Sequence, residues 1–341
     1  MALILGIVEG LTEFLPVSST AHIRLAQALL GIPAADNFWK LFAVAIQLPA
    51  VLAVVFYFFP QIVRFVASLF HEILAELRRP LPLVRRILNS VVLCFVHPVG
   101  LVAIGTVVTG IPAALAKKII AKNLESLYVM GFALLVGGIV MWVVDAYFGK
   151  RERRILSDEQ AAAAIGMPQN DAAMSNVDET TEVPPVVEYQ VPPPAPLIVS
   201  KLEQMKIWQA VWIGAVQILS AVFPGTSRSM STIAAGQVAN LTRAAALEFS
   251  FFMSIPLMFA ACFFDMKHSL KPGDPDYIGH HMTSKEWTVL GVGSVVSFLV
   301  AFAVIAWFMA WVRKRGFVPF AVYRIIIGIV VLVAASRGMF G

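Results

Sequence analysis

The chain has 341 residues, of which 59% are hydrophobic and only 14% are charged, and its formal net charge is +5. Soluble domains carry roughly 25% charged residues, because a compact soluble fold needs a charged surface. The composition therefore predicts an integral membrane protein. The only two cysteines, Cys94 and Cys262, lie in apolar runs and are too few for a disulfide framework or a cysteine zinc site.

Two regions, 1–30 and 207–240, are apolar but interrupted by Pro, Gly, Ser and ionisable residues. The first has no Lys or Arg before Arg24 and carries Glu9 and Glu13 in its apolar run, which is unlike a cleavable signal peptide. Irregular backbone at membrane depth is tolerated only where protein or a water-filled cavity surrounds it. Both regions are therefore predicted to be broken, re-entrant helix pairs.

Six continuous apolar segments are long enough to cross a membrane, which takes about 20 residues. They are 41–59, 89–112, 127–148, 246–264, 287–311 and 320–339. The predicted fold class is an all-α, polytopic integral membrane protein with about six spanning helices and two re-entrant regions.

The one soluble-looking stretch, 150–205, is rich in acidic residues and proline. It offers too little apolar surface to offset the entropy of ordering, so it is predicted to be a disordered cytoplasmic linker. It would join a first membrane repeat, 1–149, to a second one, 206–341. A binding site for a cytoplasmic partner is the alternative for the linker.

Lys and Arg are unevenly distributed between alternate loops. Fourteen of them lie in 60–88, 149–206 and 312–319, against six in the loops between these. Because cytoplasmic loops carry an excess of Lys and Arg, the first set is predicted to be cytoplasmic and both termini to lie outside.

The two interrupted regions align as an internal repeat. An offset of 208 residues pairs Gly6 with Gly214, Glu9 with Gln217, Leu11 with Leu219, Pro16 with Pro224 and Ser19 with Ser227. An offset of 207 then pairs Phe42 with Phe249 and Pro49 with Pro256. The charge pattern makes 41–59 and 246–264 run in opposite directions, so the halves are predicted to be inverted. Inverted repeats with broken helices place their polar site near the midplane.

The first break holds two carboxylates, and ionisable residues at membrane depth are functional candidates by default. Glu9 and Glu13 are four residues apart, which places both on one helical face. No cation is in local reach, so a divalent metal ion is the predicted partner, since hard cations prefer oxygen ligands. The alternative is that one carboxyl is protonated and only hydrogen-bonded.

Three hydroxyls and an imidazole follow these carboxylates: Ser18, Ser19, Thr20 and His22. A hydroxyl nucleophile needs a base within hydrogen-bond reach, and Glu13 or His22 is the candidate. The hydroxyls and the N–H groups at the next helix start are equally able to cap that helix and bind an anion.

The second break supplies Arg228 within the hydroxyl-rich run that contains Ser227, Ser229 and Thr232. A guanidinium suits bidentate phosphate binding, although a structural ion pair with an acidic residue is the alternative. Acids, hydroxyls, histidine and arginine at one site point to phosphate handled with a metal ion, attacked by a hydroxyl or an activated water.

Other polar residues in apolar segments are given structural roles. We expect Glu248 to pair with Arg243 or Arg228, His97 to be a packing residue, and Tyr323 with Arg324 to anchor the last span at the interface. No nucleotide-binding loop is present, and nothing in the sequence indicates nucleic-acid binding.

The run from Glu9 to His22 and the run from Pro224 to Ser229 resemble the two signatures of the undecaprenyl-diphosphatase family of the bacitracin-resistance type. Further similarity extends over nearly the whole chain except 150–205. The sequence departs from the family pattern at four positions, where it has Ala21, Ala43, Pro49 and Met230.

The resemblance implies an enzyme of the bacterial inner membrane that hydrolyses undecaprenyl diphosphate to undecaprenyl phosphate and inorganic phosphate. This would recycle the lipid carrier for peptidoglycan and confer bacitracin resistance. It implies Mg²⁺ or Ca²⁺, an active site facing the outer side, and an inverted repeat with re-entrant helices.

By motif, the same resemblance gives five residues a role. Glu9 and Glu13 would be metal and catalytic acids, Ser19 the candidate nucleophile, His22 the base or alternative nucleophile, and Arg228 the phosphate clamp.

Two other classes of function stay open from the sequence. A lipid-phosphate flippase or anion transporter would use the same midplane site, because inverted repeats with broken helices are a transporter architecture. A non-catalytic bacitracin-binding or scaffold role would leave the two acids and the arginine unexplained. A homo-oligomer is also possible from the sequence alone.

Overall fold

The structure is a computed structural model that describes residues 1–33, 36–116, 126–165, 198–273, 277–278 and 280–337. Within these ranges the chain folds into thirteen α-helices, a short 3-10 helix at Leu202–Gln204 and one isolated bridge between Val199 and Leu241. In chain order the helices are α1 (Ala2–Thr12), α2 (Ser19–Leu29), α3 (Asn37–Ala45), α4 (Gln47–Tyr57), α5 (Phe59–Leu77), α6 (Leu83–Val96), α7 (Pro98–Leu115), α8 (Leu127–Ile165), α9 (Ile207–Val222), α10 (Arg228–Val238), α11 (Arg243–Ser269), α12 (Ser284–Arg315) and α13 (Val318–Ser336).

The predicted all-α polytopic fold is confirmed. Six helical segments of the described chain are long and apolar enough to cross a membrane. They are Asn37–Tyr57, Pro98–Leu115, Leu127–Asp158, Arg243–Ser269, Ser284–Arg315 and Val318–Ser336. The two interrupted regions are indeed broken: α1 and α2 are separated by a turn, and so are α9 and α10.

A proline corrects one predicted boundary. The span predicted at 89–112 begins only at Pro98, because His97 takes an extended conformation and caps α7 by accepting from the Val99 N–H at 3.3 Å. Residues 89–96 belong to α6 instead. The span predicted at 41–59 ends at Tyr57, and Pro60 occupies the first turn of the next helix, α5, where its missing N–H is harmless.

The predicted linker is partly helical. α8 continues to Ile165, so the first part of 150–205 prolongs a spanning helix rather than leaving it. At the other end, the Val199 N–H donates to the Asn240 carbonyl at 2.9 Å, which anchors the chain before α9. The rest of the predicted linker, 166–197, and the predicted outer-loop lysines in 117–125 lie outside the described residues.

Contacts between α3–α5 and α11 show that the corresponding helices of the two halves run in opposite directions. The Cys262 thiol lies 3.6 Å from the Val44 carbonyl, whereas the Phe58 and Phe252 rings pack with centroids 5.2 Å apart. As one chain advances from 44 to 58, the other goes back from 262 to 252. The halves are therefore inverted, as the sequence predicts.

Matched glycines allow each half to pack closely on the other. A Cβ on Gly6 of α1 would lie 2.7 Å from the Gly293 carbonyl of α12, and one on Gly214 of α9 would lie 2.6 Å from the Gly105 carbonyl of α7. Such contacts leave room only for hydrogen, and small residues let helix backbones approach in membranes. The equivalent helices α1 and α9 thus make equivalent crossings.

A buried ion pair that the sequence analysis did not predict joins α8 to the start of α11. Asp145 of α8 is 1% exposed and accepts from Arg243 Nε at 2.6 Å and from the Phe317 N–H at 3.0 Å. Arg243 is therefore not paired with Glu248, whose carboxylate accepts instead from the Gln61 amide. The predicted pairing of Glu248 with Arg243 is therefore wrong.

Replacing Gly214 by Ala should weaken the crossing of α9 with α7. The added methyl would meet backbone atoms of Gly105, so the helices must separate, at a cost of about 1–3 kcal/mol. Thermal unfolding of the purified protein in detergent would show a lower transition temperature. Gly291→Ala is the matched control, since a Cβ there meets nothing within 4 Å. Equal stability of both variants would contradict the close crossing.

Candidate active site

The two breaks form two similar tips. Each second helix, α2 and α10, is preceded by a serine with a positive φ: 74° at Ser18 and 67° at Ser227. Non-glycine residues rarely adopt this conformation, and such strain is concentrated at functional sites. The shared geometry pairs Ser18 with Ser227, one residue away from the sequence alignment that paired Ser19 with Ser227.

Glu13 is the residue on which the two tips converge. It directly follows α1, and its Oε1 accepts from Arg228 Nη2 at 2.8 Å. Its Oε2 accepts from the Ser19 hydroxyl at 2.5 Å. The structure thus brings three predicted catalytic residues, from three different helix ends, into direct contact.

A cavity of about 170 Å³ lies beside this group. Its wall contains Glu13, Ser18, Ser19, Thr20, Gln47, Ser220, Pro224, Gly225, Ser227, Arg228 and Met258. Four of the predicted hydroxyl residues line it. Arg228 keeps one buried nitrogen, Nη1, without a partner among the described residues, so the guanidinium can still bind an anion.

Glu9 lies one helical turn before Glu13 and is fully buried. Neither of its carboxylate oxygens has a hydrogen-bond partner within the described chain. A buried carboxylate without a partner is strongly disfavoured, and a divalent cation would satisfy it. No group of three or more His, Cys, Asp or Glu side chains suited to a metal occurs in the described ranges, so the protein would offer two carboxylates at most. That number is typical of Mg²⁺ sites completed by substrate phosphate and water.

His22 is placed differently from the other predicted catalytic residues. Its Nδ1 lies 2.8 Å from the Ser18 carbonyl and its Nε2 lies 2.8 Å from the Tyr323 hydroxyl, with the two rings stacked. It is absent from the cavity wall. Both of its ring nitrogens are engaged away from Ser19, so its role as a base or nucleophile stays a prediction.

Ser229 and Thr232 are predicted to contact the substrate, but in the structure their hydroxyls point to neighbouring protein groups. The Thr232 hydroxyl lies 2.6 Å from Ser250 Oγ and donates to the Arg228 carbonyl, while the Ser229 hydroxyl faces the Glu13 carbonyl at 3.4 Å. Neither lines the cavity. They hold the first turn of α10 against its neighbours.

Arg324 is the site residue whose position the sequence analysis predicted wrongly. It is fully buried rather than an interfacial anchor. Its guanidinium donates to the carbonyls of Pro16 at 3.1 Å, Gly225 at 2.9 Å, Thr226 at 3.0 Å and Ala133 at 3.2 Å. One cation therefore satisfies carbonyls of both tips. Its position inside an apolar span was the available signal, as it was for Arg228.

Together these features define a class: an α-helical membrane protein with two inverted, broken helix pairs whose tips enclose a carboxylate, a hydroxyl and a guanidinium. The chain belongs to the family described as Bacitracin resistance protein BacA, whose model matches residues 2–177 and 194–330. A similar protein from Koribacter versatilis, named undecaprenyl-diphosphatase, is 44% identical over 99% of this chain and 98% of its own length. A protein of the same name from Persephonella marina is 34% identical over 97% of this chain and 96% of its own length. Undecaprenyl-diphosphatase 1 from Streptomyces avermitilis is 31% identical over 99% of this chain and 96% of its own length.

Replacing Arg324 by Gln should destabilise both tips, because several buried carbonyls lose their donor. We expect a loss of about 2 kcal/mol or more in unfolding free energy. Thermal unfolding in detergent measures it, and Arg337→Gln, at the exposed end of the same helix, is the control. A variant as stable as the control would show that the tips do not depend on this guanidinium.

Proposed function

We propose that this chain hydrolyses undecaprenyl diphosphate to undecaprenyl phosphate and inorganic phosphate. The observation that carries the proposal is the contact of the Ser19 hydroxyl with Glu13 Oε2 at 2.5 Å, beside a guanidinium with a free donor. A nucleophile, its base and an oxyanion clamp in one buried cavity are the parts that phosphoryl transfer requires. The family and the names of the relatives support the same substrate.

In the proposed reaction the Ser19 oxygen attacks the terminal phosphorus while its proton passes to Glu13. The bond from that phosphorus to the bridging oxygen breaks, and undecaprenyl phosphate leaves with the electron pair. Glu13 gives its proton to the departing phosphate and is again a base. Water then attacks the phosphorus of the phosphoserine and gives a proton to Glu13, the bond from phosphorus to the Ser19 oxygen breaks, and Glu13 returns the proton to that oxygen as inorganic phosphate is released. Direct attack by water, with Glu13 as the base, would give the same products.

Arg228 has two tasks in this scheme. Its Nη2 holds Glu13 in place at 2.8 Å, and its Nη1 is available to the phosphoryl oxygens. Negative charge spreads over those oxygens in the transition state, so a fixed donor lowers the barrier.

Glu9 and Glu13 would hold the proposed divalent cation, Mg²⁺ or Ca²⁺. When bound, such an ion neutralises phosphate charge and polarises the reacting group. The unpartnered carboxylate of Glu9 fits this assignment.

The cellular setting completes the proposal. The family resemblance implies an active site on the outer side of the bacterial inner membrane, and the Lys and Arg bias supports a cytoplasmic position for the loops 60–88, 149–206 and 312–319. There the reaction would recycle the lipid carrier for peptidoglycan synthesis. Bacitracin sequesters the diphosphate, so removal of its terminal phosphate would confer resistance.

Substitution at the Glu13–Ser19 pair should abolish turnover. We expect Ser19→Ala and Glu13→Gln to lower kcat by at least about 100-fold, a typical contribution of a positioned base. His22→Ala should have a smaller effect, because His22 does not line the cavity. The assay is formation of undecaprenyl phosphate by purified protein.

Thr106→Val is a matched control, since its hydroxyl only bonds within α7 at 2.8 Å. Full activity of Ser19→Ala with an inactive Glu13→Gln would favour attack by water. Full activity of both variants would refute the site, and lipid translocation without hydrolysis would favour the transporter alternative.

Metal removal should also stop the reaction. Chelation by EDTA is expected to abolish phosphate release, and added Mg²⁺ to restore it, because Glu9 and Glu13 would otherwise repel each other and the substrate. Glu9→Gln should raise the Mg²⁺ concentration for half-maximal activity at least about tenfold, equivalent to about 1.4 kcal/mol of binding. Unchanged activity in EDTA would rule out the metal ion.

A further inference from the structure

A second cavity adjoins the catalytic one. It has a volume of about 370 Å³ between α2, α3 and the end of α11, and its wall includes Glu9, Thr20, Arg24, Lys40, Gln47 and Asp265. We propose that this cavity, the vestibule, binds the inorganic phosphate released by the reaction and conducts it to the aqueous surface, with Arg24 and Lys40 as its ligands. This inference rests on the proposed function.

The vestibule shares a wall with the catalytic cavity, because Thr20 and Gln47 line both. Glu13 lines the catalytic cavity, and Glu9, one helical turn earlier, lines the vestibule. From the fully buried Glu9 the vestibule extends to Asp265, whose side chain is exposed. In the proposal, a small polar product would pass from the catalytic cavity across this shared wall to the surface near Asp265.

The two cations lie along this path. Arg24 and Lys40 are half-buried, and within the described ranges neither side chain has a hydrogen-bond or ion-pair partner. They belong to α2 and α3, respectively, and both line the vestibule. Guanidinium and ammonium groups with free donors form charge-assisted hydrogen bonds to phosphate oxygens. Inorganic phosphate at neutral pH is such an anion.

The apolar surroundings assign the two products to different exits. The other large cavity near the tips has about 560 Å³ and is lined almost entirely by apolar residues of α8, α9 and α10, among them Phe132, Val136 and Phe223. It suits a hydrocarbon chain and offers a phosphate ion nothing to bind. Charged and polar groups are found instead in the vestibule, so the free phosphate would leave there.

The kinetic test is product inhibition of the full-length protein. Formation of undecaprenyl phosphate is followed by chromatography with increasing inorganic phosphate. In the double variant Arg24→Gln, Lys40→Gln the inhibition constant for phosphate should rise about tenfold, while KM for the lipid changes less than about twofold. The double variant Lys285→Gln, Arg337→Gln removes the same charge from exposed positions and should behave like the wild type.

Two results would overturn the vestibule. One is an unchanged inhibition constant for phosphate. The other is a raised KM for the lipid with unchanged phosphate inhibition, which would assign the two cations to the lipid headgroup.

A binding experiment separates this inference from the proposed reaction. Calorimetric titration of Arg228→Gln with inorganic phosphate, without lipid, should still show one binding site. Adding Arg24→Gln and Lys40→Gln should remove it. Retained binding in the triple variant refutes the vestibule whatever the enzyme hydrolyses, whereas an inactive wild type that binds phosphate through Arg24 and Lys40 refutes only the proposed reaction.

Discussion

Broken helices inside a membrane leave backbone carbonyls that neither water nor a regular helix can satisfy. Here one guanidinium meets much of that requirement, because Arg324 donates to carbonyls in both tips and in α8. The positions of Glu13 and Arg228 depend on it, since each lies within a few residues of a carbonyl that it holds. Arg324 does not contact the reacting group, but by positioning the two tips it sets the distance between Glu13 and Arg228.

Among the described residues, the site contains both paired and unpaired charged groups. Glu13 is engaged by Ser19 and Arg228, whereas the Glu9 carboxylate and one nitrogen of Arg228 are buried without a hydrogen-bond partner among the described residues. Unsatisfied charge in a low-dielectric interior is unfavourable, so the protein alone carries a free-energy penalty. A phosphate group together with a divalent cation would remove both deficits at once. In the proposed reaction the binding energy would in this way be directed at the reacting diphosphate end of the lipid.

The sequence was sufficient for the parts of the molecule that depend on local chemistry. Apolar runs of spanning length predicted six membrane helices, and Glu13 or Arg228 was conspicuous because charge is rare at that depth. The sequence could not predict how each helix is rotated about its axis or how deeply its side chains lie in the bundle. The direction of His22, toward Tyr323 rather than Ser19, and the pairing of Glu248 with Gln61 depend on how distant helices turn toward each other. The same holds for Arg324, whose reach to the tips is visible only once α13 is packed against α8.

The glycine crossings have a consequence for biosynthesis. The surface that Gly6 of α1 packs against belongs to α12, which is synthesised nearly three hundred residues later. The crossing of α1 with α12 therefore cannot form until almost the whole chain has been synthesised. The contact of Glu13 with Arg228 likewise has to wait for α10. A truncated or stalled chain carries all the acids of the first tip but cannot bring them to the arginine of the second.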